Sequence, residues 1–232
     1  MICQSVFRLG IVSILLVFLS AVSLPAQQEN KTRENNIQFL WSFGAIRHNP
    51  TGGEFKSIFR DTILKTGDQI KFFIKLKNRC HVYLLYFSSK DELNVLFPHK
   101  FHAAPPTFFG PDSYFIPEGN MWFELDSHVG VEMFYLLASA ERLENLEILT
   151  NQYKNADPIA RAELSDRIRT EIKFLKKKNM RLKASAERPV RIIGGKRAAG
   201  EVKNTTNEDL ALHAMEITGI DFYYRSYTIE HQ

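Results

Sequence analysis

The neighbouring residues Cys80 and His81 have the chemistry of a thiol nucleophile and its imidazole base. Such a pair works only when the two groups lie within hydrogen-bonding distance. The surrounding sequence predicts a β-strand, and neighbouring residues on a strand point to opposite faces of the sheet. We therefore interpret Cys80 as a buried structural cysteine and not as a catalytic residue.

Two histidines, His99 and His102, could bind a divalent metal with His48 or His81 as a further ligand. Zinc needs three or four ligands that converge on one point. No cysteine or acidic residue stands at a matching spacing, so we predict no metal and no cofactor. A metal-dependent hydrolase that uses this histidine-containing stretch is the alternative.

Five carboxylates lie close together in the sequence and could supply the pair that glycosidase chemistry requires. They are Asp112, Glu118, Glu124, Asp126 and Glu132. Strand alternation gives no reason for any two of them to converge. We therefore predict that the protein has no catalytic residues and is not an enzyme.

The first 26 residues are typical of a cleavable signal peptide. Arg8 gives the amino-terminal region its positive charge, residues 9–24 are almost wholly apolar, and small residues lead up to Ala26. The apolar run is shorter than the roughly 20 residues that a membrane-spanning helix needs. We predict cleavage after Ala26, with Ser23 as the other choice, followed by a flexible stretch at 27–36. The mature protein is expected in the periplasm, in the outer envelope or outside the cell.

The composition indicates which classes of partner the mature chain is expected to bind. The 232 residues include 30 Lys and Arg against 26 Asp and Glu, a formal net charge of +4. This mild positive charge does not argue for nucleic-acid binding. No second long apolar run follows the leader, so we expect no transmembrane helix after its removal. Cys80 is then the only cysteine left, and the fold has to be stable without an internal disulfide.

Alternation of apolar and polar residues predicts many short strands. Phe72, Ile74 and Leu76 share one face of a half-buried strand, with Lys71 on the opposite face, and residues 82–87 are apolar on both faces, as in a central strand. Further strands are predicted at 37–43, 55–59, 93–97, 121–125, 131–137 and 222–229. Turn residues separate these runs, which predicts one mainly β, β-sandwich-like domain over 37–232, either immunoglobulin-like or an open barrel.

A helical hairpin is predicted as an insertion at about 141–184, before the last strand. Its first helix, from Glu141 to about Gln152, carries leucines on one stripe. Asp157 and Pro158 then supply the N-cap and first turn of a second helix. The apolar stripe of the second helix consists of Leu164, Ile168, Ile172 and Leu175. Residues 196–209 are polar and predict a flexible connection.

The connection between Pro98 and Pro117 is long and rich in aromatic residues. Loops of this length are uncommon in compact domains unless they are functional or mobile. The aromatic side chains either fold back onto the sandwich or present a hydrophobic docking surface. The residues concerned are Phe101, Phe108, Phe109 and Tyr114.

The second predicted helix has a strongly basic side, which admits two interpretations. In the first, the side is solvated and partly neutralised by Glu163, four residues before Arg167, and by the acidic first helix. In the second, it binds an anionic partner, either a lipid or polymer surface or an acidic protein. The candidate contact residues are Lys173, Lys176, Lys177, Lys178 and Arg181.

An ordered series of short motifs runs through the first two thirds of the chain. The motifs are Gly67-Asp68, Val82-Tyr83-Leu84-Leu85-Tyr86, Leu96-Phe97-Pro98, Ile116-Pro117 and Gly130-Val131-Glu132. This order resembles a bacterial domain-of-unknown-function family found in exported proteins and appended to caspase-like peptidases and Ser/Thr kinases. The resemblance covers about Ile37 to Leu149 and implies a β-sandwich-like accessory domain and not a catalyst.

Taken together, these patterns predict an exported, non-enzymatic binding module of the bacterial cell envelope. Its partner is expected to be a protein or an anionic surface and not nucleic acid. Besides the hydrolase, a second alternative is a structural envelope subunit that self-associates through exposed strand edges.

Overall fold

The computed structural model describes residues 35–49, 52–101, 113–179, 186–189 and 207–232. In these residues twelve strands and three helices follow one another along the chain. The strands are β1 (Asn36–Asn49), β2 (Gly52–Ser57), β3 (Thr62–Leu64), β4 (Gln69–Leu76), β5 (His81–Phe87), β6 (Leu93–Phe97), β7 (Ser113–Ile116), β8 (Phe123–Glu124), β9 (Gly130–Ser139), β10 (Ala186–Pro189), β11 (Met215–Ile220) and β12 (Phe222–His231). The helices are α1 (Glu144–Asn155), α2 (Pro158–Asn179) and α3 (Asn207–Leu212).

The strands form two sheets that stack face to face. The first sheet has the order β10-β11-β1-β4-β7, with β2 also paired to β1 and β8 also paired to β4. The second has the order β3-β12-β9-β5-β6. Neighbours are antiparallel except for β3 and β12, which run parallel. This arrangement confirms the predicted mainly β, sandwich-like fold.

The main core lies between the sheets and consists of alternate residues of each strand. Phe39, Trp41 and Phe43 of β1 point into it, as Phe72 and Ile74 of β4 do. These apolar side chains are excluded from water, which is the largest favourable contribution to folding. The alternation that predicted these strands therefore identified the correct inward face.

One buried polar pair crosses this core. Trp41 Nε1 donates a hydrogen bond to the hydroxyl oxygen of Tyr227, 2.7 Å away. Burial raises the pKa of Tyr227 to about 12, so the phenol stays neutral at physiological pH. The pair joins β1 of the first sheet to β12 of the second.

A second apolar layer covers the outer face of the second sheet. Tyr83 and Leu85 of β5 and Leu137 of β9 pack there against the hairpin of α1 and α2. The four residues of the predicted apolar stripe on α2 are all buried in this layer: Leu164, Ile168, Ile172 and Leu175. Helix α2 begins at Pro158, and Asp157 Oδ1 accepts hydrogen bonds from the backbone N–H groups of Ile159 and Ala160. The predicted hairpin and N-cap are confirmed.

The outer face of the first sheet differs from the sequence prediction at Lys71. A half-buried strand leads one to expect this lysine in solvent, but its side chain is fully buried. Its ammonium group donates hydrogen bonds to the carbonyl oxygens of Gly119 and Met121, both at 2.6 Å. Burial lowers the pKa of Lys71. The turn after β7 folds over the strand, which alternation within the strand does not reveal.

The segment before the last strand also differs from its prediction. Residues 207–209 were expected in a flexible connection, but they begin α3, whose Leu210 is buried against Phe73 of the first sheet. Strands β10 and β11 were also missed, so the hairpin precedes three strands and not one. Residues 196–206 of the predicted connection lie outside the described residues.

We expect the stability of the fold to depend on the hydroxyl oxygen of Tyr227, which accepts the hydrogen bond from Trp41. Tyr227→Phe leaves the buried indole N–H without this acceptor, which costs about 1–3 kcal/mol. We expect the free energy of unfolding in urea to fall by that amount with an unchanged denaturant slope. Tyr224→Phe is the matched control, because Tyr224 packs on the outer side of the second sheet. Equal stability of Tyr227→Phe and the wild type would contradict the assignment.

Candidate interaction surface

The outer side of the helical hairpin carries a groove between α1 and α2. The groove has a volume of about 730 Å³ and faces away from the second sheet. Its apolar lining comes from Ile148 and Leu149 of α1 and Phe174 of α2. Ile148 and Phe174 are each 54% exposed. We call this groove, together with Lys173, Lys177 and Lys178, the hairpin surface.

Charge is unevenly distributed along the hairpin surface. Three carboxylates and one guanidinium line the groove: Glu163, Asp166, Glu171 and Arg167. The last turns of α2 carry the exposed lysines Lys173, Lys177 and Lys178. The surface is therefore acidic towards the start of α2 and basic towards its end, with Phe174 in the basic half.

The basic residues of α2 divide into two groups. Lys176 lies over the ring of Tyr224, with Nζ 4.6 Å from the ring centroid. Arg169 lies over Phe87 and forms an ion pair with Asp91. These two side chains stabilise the packing of the helix on the second sheet.

The remaining lysines of α2 have no such role. Lys173, Lys177 and Lys178 form no ion pair or ring contact within the described residues. Of the three, only Lys177 and Lys178 lie in the last turn of α2, where the helix dipole stabilises a lysine by only a few tenths of a kcal/mol at an exposed site. All three lysines lie within four residues of Phe174 and are available to a partner. Arg181 lies outside the described residues.

The two described ends of the long aromatic connection fold back onto the domain. The Phe101 ring lies 6.2 Å from that of Tyr83, and Lys154 Nζ lies over Phe101 at 5.4 Å. At the other end, the Tyr114 ring lies 4.9 Å from that of Phe97. Phe108 and Phe109 lie outside the described residues, so their role in docking stays a prediction.

The two sequence-predicted contact regions do not form one surface. Phe101 lies beside Lys154 in the last turn of α1, where the chain turns into α2. Lys173, Lys177 and Lys178 lie at the opposite end of the hairpin, about 20–30 Å away along a helix that rises 1.5 Å per residue. The described part of the connection therefore belongs to the packing of the domain, and the exposed lysines belong to a separate site.

A buried network docks the hairpin onto the second sheet. The Tyr83 hydroxyl donates a hydrogen bond to Glu147 Oε1 at 2.7 Å and accepts one from the backbone N–H of Leu143 at 3.1 Å. Arg142 forms an ion pair with the same carboxylate, which is 6% exposed. Burial and the Glu147 carboxylate raise the pKa of Tyr83 above its ordinary value.

Sequence reasoning missed this network, although one signal was present. Glu147 lies four residues after Leu143 and next to Leu146, which places it on the buried side of α1. An acidic residue on such a stripe requires a polar partner, because an unpaired buried charge is costly.

The carboxylates considered for catalysis each have a different partner. The Tyr86 hydroxyl donates to Glu132 Oε2 at 2.9 Å, and His231 Nδ1 lies 3.6 Å from Glu132 Oε1. Asp126 pairs with His128 at an exposed turn. The remaining pairs are Glu118 with His99 at 3.8 Å and Glu124 with Gln69 at 3.4 Å, while Asp112 lies outside the described residues.

The histidines considered for metal binding are also dispersed. Among the residues that the structure describes, no three His, Cys, Asp or Glu side chains are grouped in a way that could hold a metal ion. His102 lies outside those residues.

The structure places Cys80 and His81 on opposite sides of the second sheet. Cys80 is buried in the core between the sheets, whereas His81 is half-buried on the other side. Burial raises the pKa of the Cys80 thiol to about 11 and lowers the pKa of His81. A buried neutral thiol agrees with the structural role predicted for Cys80.

Comparison with known proteins adds one finding about the sandwich. Residues 63–142 match a known family. Its description is "Domain of unknown function (DUF4384)", and the match confirms the predicted resemblance to a family of unknown function. The matched stretch runs from β3 to the end of β9 and stops just before α1, so the hairpin surface lies outside it.

The other comparisons found nothing similar. No match was found among the curated proteins or the solved structures. None of the helices in the described part of the chain has the length and apolar character needed to cross a membrane.

The raised pKa of Cys80 predicts low thiol reactivity. In a Cys3→Ser chain, Cys80 should react with a thiol reagent at pH 8 only after unfolding, because the native thiol is neutral and buried. A raised native pKa also contributes stability that is present below about pH 9 and lost as the pH rises towards about 11. The measurement is the rate of thiol labelling with and without denaturant. Equally fast labelling of the native protein at pH 8 would show that Cys80 is accessible.

Proposed function

We propose that this protein is an exported, non-enzymatic accessory module of the cell envelope that binds another protein through the hairpin surface. The observation that carries the proposal is the exposed Phe174 flanked by Lys173, Lys177 and Lys178. An exposed aromatic side chain beside cations that lack a partner in the described residues is typical of an interaction site.

The mixed charge of the hairpin surface favours a protein partner over an anionic lipid or polymer. A negatively charged surface would attract Lys177 and Lys178 but repel Glu163, Asp166 and Glu171 on the same side of the hairpin. A folded protein can place opposite charges against both halves. The groove between α1 and α2 then receives an apolar side chain of that partner.

Three side chains with catalytic chemistry are engaged within the fold, which favours a binding role for them over a catalytic one. Cys80 is buried, and the Glu147 carboxylate is saturated by Tyr83 and Arg142. Glu132 is buried beside Tyr86 and His231. None of the three is presented at the groove between α1 and α2.

One sequence feature supports an envelope location. The first 26 residues have the charged, apolar and small-residue regions of a signal peptide. A binding module of this kind meets its partner after export.

The proposal is tested by crosslinking the tagged mature protein in its own cell envelope, followed by pull-down and mass spectrometry. The test variant combines Lys173→Glu, Lys177→Glu and Lys178→Glu. The control variant combines Lys56→Glu, Lys65→Glu and Lys90→Glu, which changes three exposed lysines elsewhere on the domain by the same total charge. Circular dichroism establishes that both variants are folded.

We expect a partner to be recovered with the wild type and the control but lost with the test variant. Charge reversal at an interface costs several kcal/mol when like charges are brought together, so recovery should fall at least about tenfold. Recovery of the same partner at the same level with the test variant would remove the hairpin surface from the interaction. Recovery of neither another protein nor a crosslinked second copy of the chain from any sample would contradict the binding function.

A further inference from the structure

We infer that the hairpin surface pairs with the same surface of a second copy of this chain, with the two α2 helices antiparallel about a two-fold axis. The inference rests on the proposed assignment of the hairpin surface as a binding site. It goes further because the order of charges along α2 identifies which protein binds to the hairpin surface.

The exposed stripe of α2 reverses its charge near its middle. Glu163 and Asp166 lie in the first half of the helix, and Lys177 and Lys178 lie at its end. Thr170, at the midpoint between 163 and 177, is a neutral lining residue of the groove. The stripe is therefore acidic towards the start of the helix and basic towards its end, with charges of both signs near its middle.

Two-fold symmetry places the acidic half of one copy opposite the basic half of the other, so the two copies attract each other. In a two-fold interface, each residue i that contacts residue j of the other copy is matched by residue j contacting residue i. With α2 antiparallel to α2, the carboxylates of Glu163 and Asp166 in one copy face Lys177 and Lys178 of the other, twice. A parallel arrangement would instead place like charges against each other.

The apolar side chains suit the same arrangement. Phe174 and Ile148, both half-exposed, lie on opposite walls of the groove. In the paired arrangement, Phe174 of each copy lies four residues from the midpoint at Thr170, which is about 6 Å along the helix, with Glu163 and Lys177 further out. Apolar residues at the centre and charged residues at the rim are the usual composition of a protein interface.

One like-charged contact opposes the arrangement, because Arg167 of one copy lies opposite Lys173 of the other about the midpoint at 170. Arg167, the single cation among the groove-lining residues, lies four residues after Glu163 and four before Glu171. Residues four apart on a helix are neighbours, so these two carboxylates offset part of its charge. Lys176 and Arg169 are held against Tyr224 and Phe87 and do not take part.

The test uses charge reversal in two complementary variants of the full mature chain. The first combines Glu163→Lys and Asp166→Lys, which makes both halves of the stripe basic. The second combines Lys177→Glu and Lys178→Glu, which makes both halves acidic. Sedimentation velocity over a wide concentration range measures the dissociation constant of the wild type, of each variant and of their equimolar mixture.

We expect the wild type to form a dimer that weakens with added salt, because its contacts are charged. Each variant alone should dissociate at least about tenfold more readily, since like charges then meet across the axis. The mixture should recover a dimer at least as tight as the wild type, because a basic stripe then faces an acidic one. The double variant Lys56→Glu, Lys65→Glu should behave as the wild type.

Different outcomes separate this inference from the proposed function. A wild type that stays monomeric, or variants that dimerise as the wild type does, would overturn the two-fold pairing. If the monomeric wild type still captures an envelope protein that the lysine variant loses, the binding function stands and only the second copy is refuted. Recovery of the dimer in the equimolar mixture would support self-pairing specifically, since mixing the two variants cannot restore the binding of an unrelated partner.

Discussion

The position of the helical hairpin on the sandwich depends on the contacts that compensate one buried carboxylate. Glu147 lies under α1 against the second sheet, where an unpaired charge would cost several kcal/mol. The Tyr83 hydroxyl and the Arg142 guanidinium satisfy it, and the backbone N–H of Leu143 bonds back to the same hydroxyl. Since these directional contacts require one position of α1, they set the orientation of the hairpin where apolar packing alone would tolerate sliding.

A fixed hairpin gives the sandwich a surface that its strands do not supply. The stretch matching the family of unknown function ends before α1, and the hairpin then adds a groove with half-exposed Ile148 and Phe174. Helix α2 packs on the second sheet through Leu164, Ile168, Ile172 and Leu175, which fixes where its acidic and basic halves lie on the domain. Both proposals about binding depend on this property, because charge complementarity requires charges whose positions do not change.

The sequence predicted those features that depend on local periodicity. Alternation identified the β5–β6 hairpin and the inward face of β4, and the spacing of Leu164, Ile168 and Ile172 identified the buried face of α2. It could not reveal contacts made by distant segments: the turn that buries Lys71, or the helix α3 that covers Phe73. The candidate site was predicted in part, because charge count alone does not separate Lys176, which lies over Tyr224, from Lys177, which is free of such contacts in the described residues.

The most direct test of this account is amide hydrogen exchange across the hairpin. In the wild type, the central amides of α1 and α2 should be protected nearly as well as those of β5 and β9, since all four elements form one cooperative unit. Glu147→Ala should lower the protection of α1 and α2 by at least about tenfold while the core between the sheets stays protected. Glu144→Ala, an exposed change in the same helix, should leave exchange unaltered. Rapid exchange of the hairpin in the wild type, or equal protection in Glu147→Ala, would contradict a hairpin held rigid by this carboxylate.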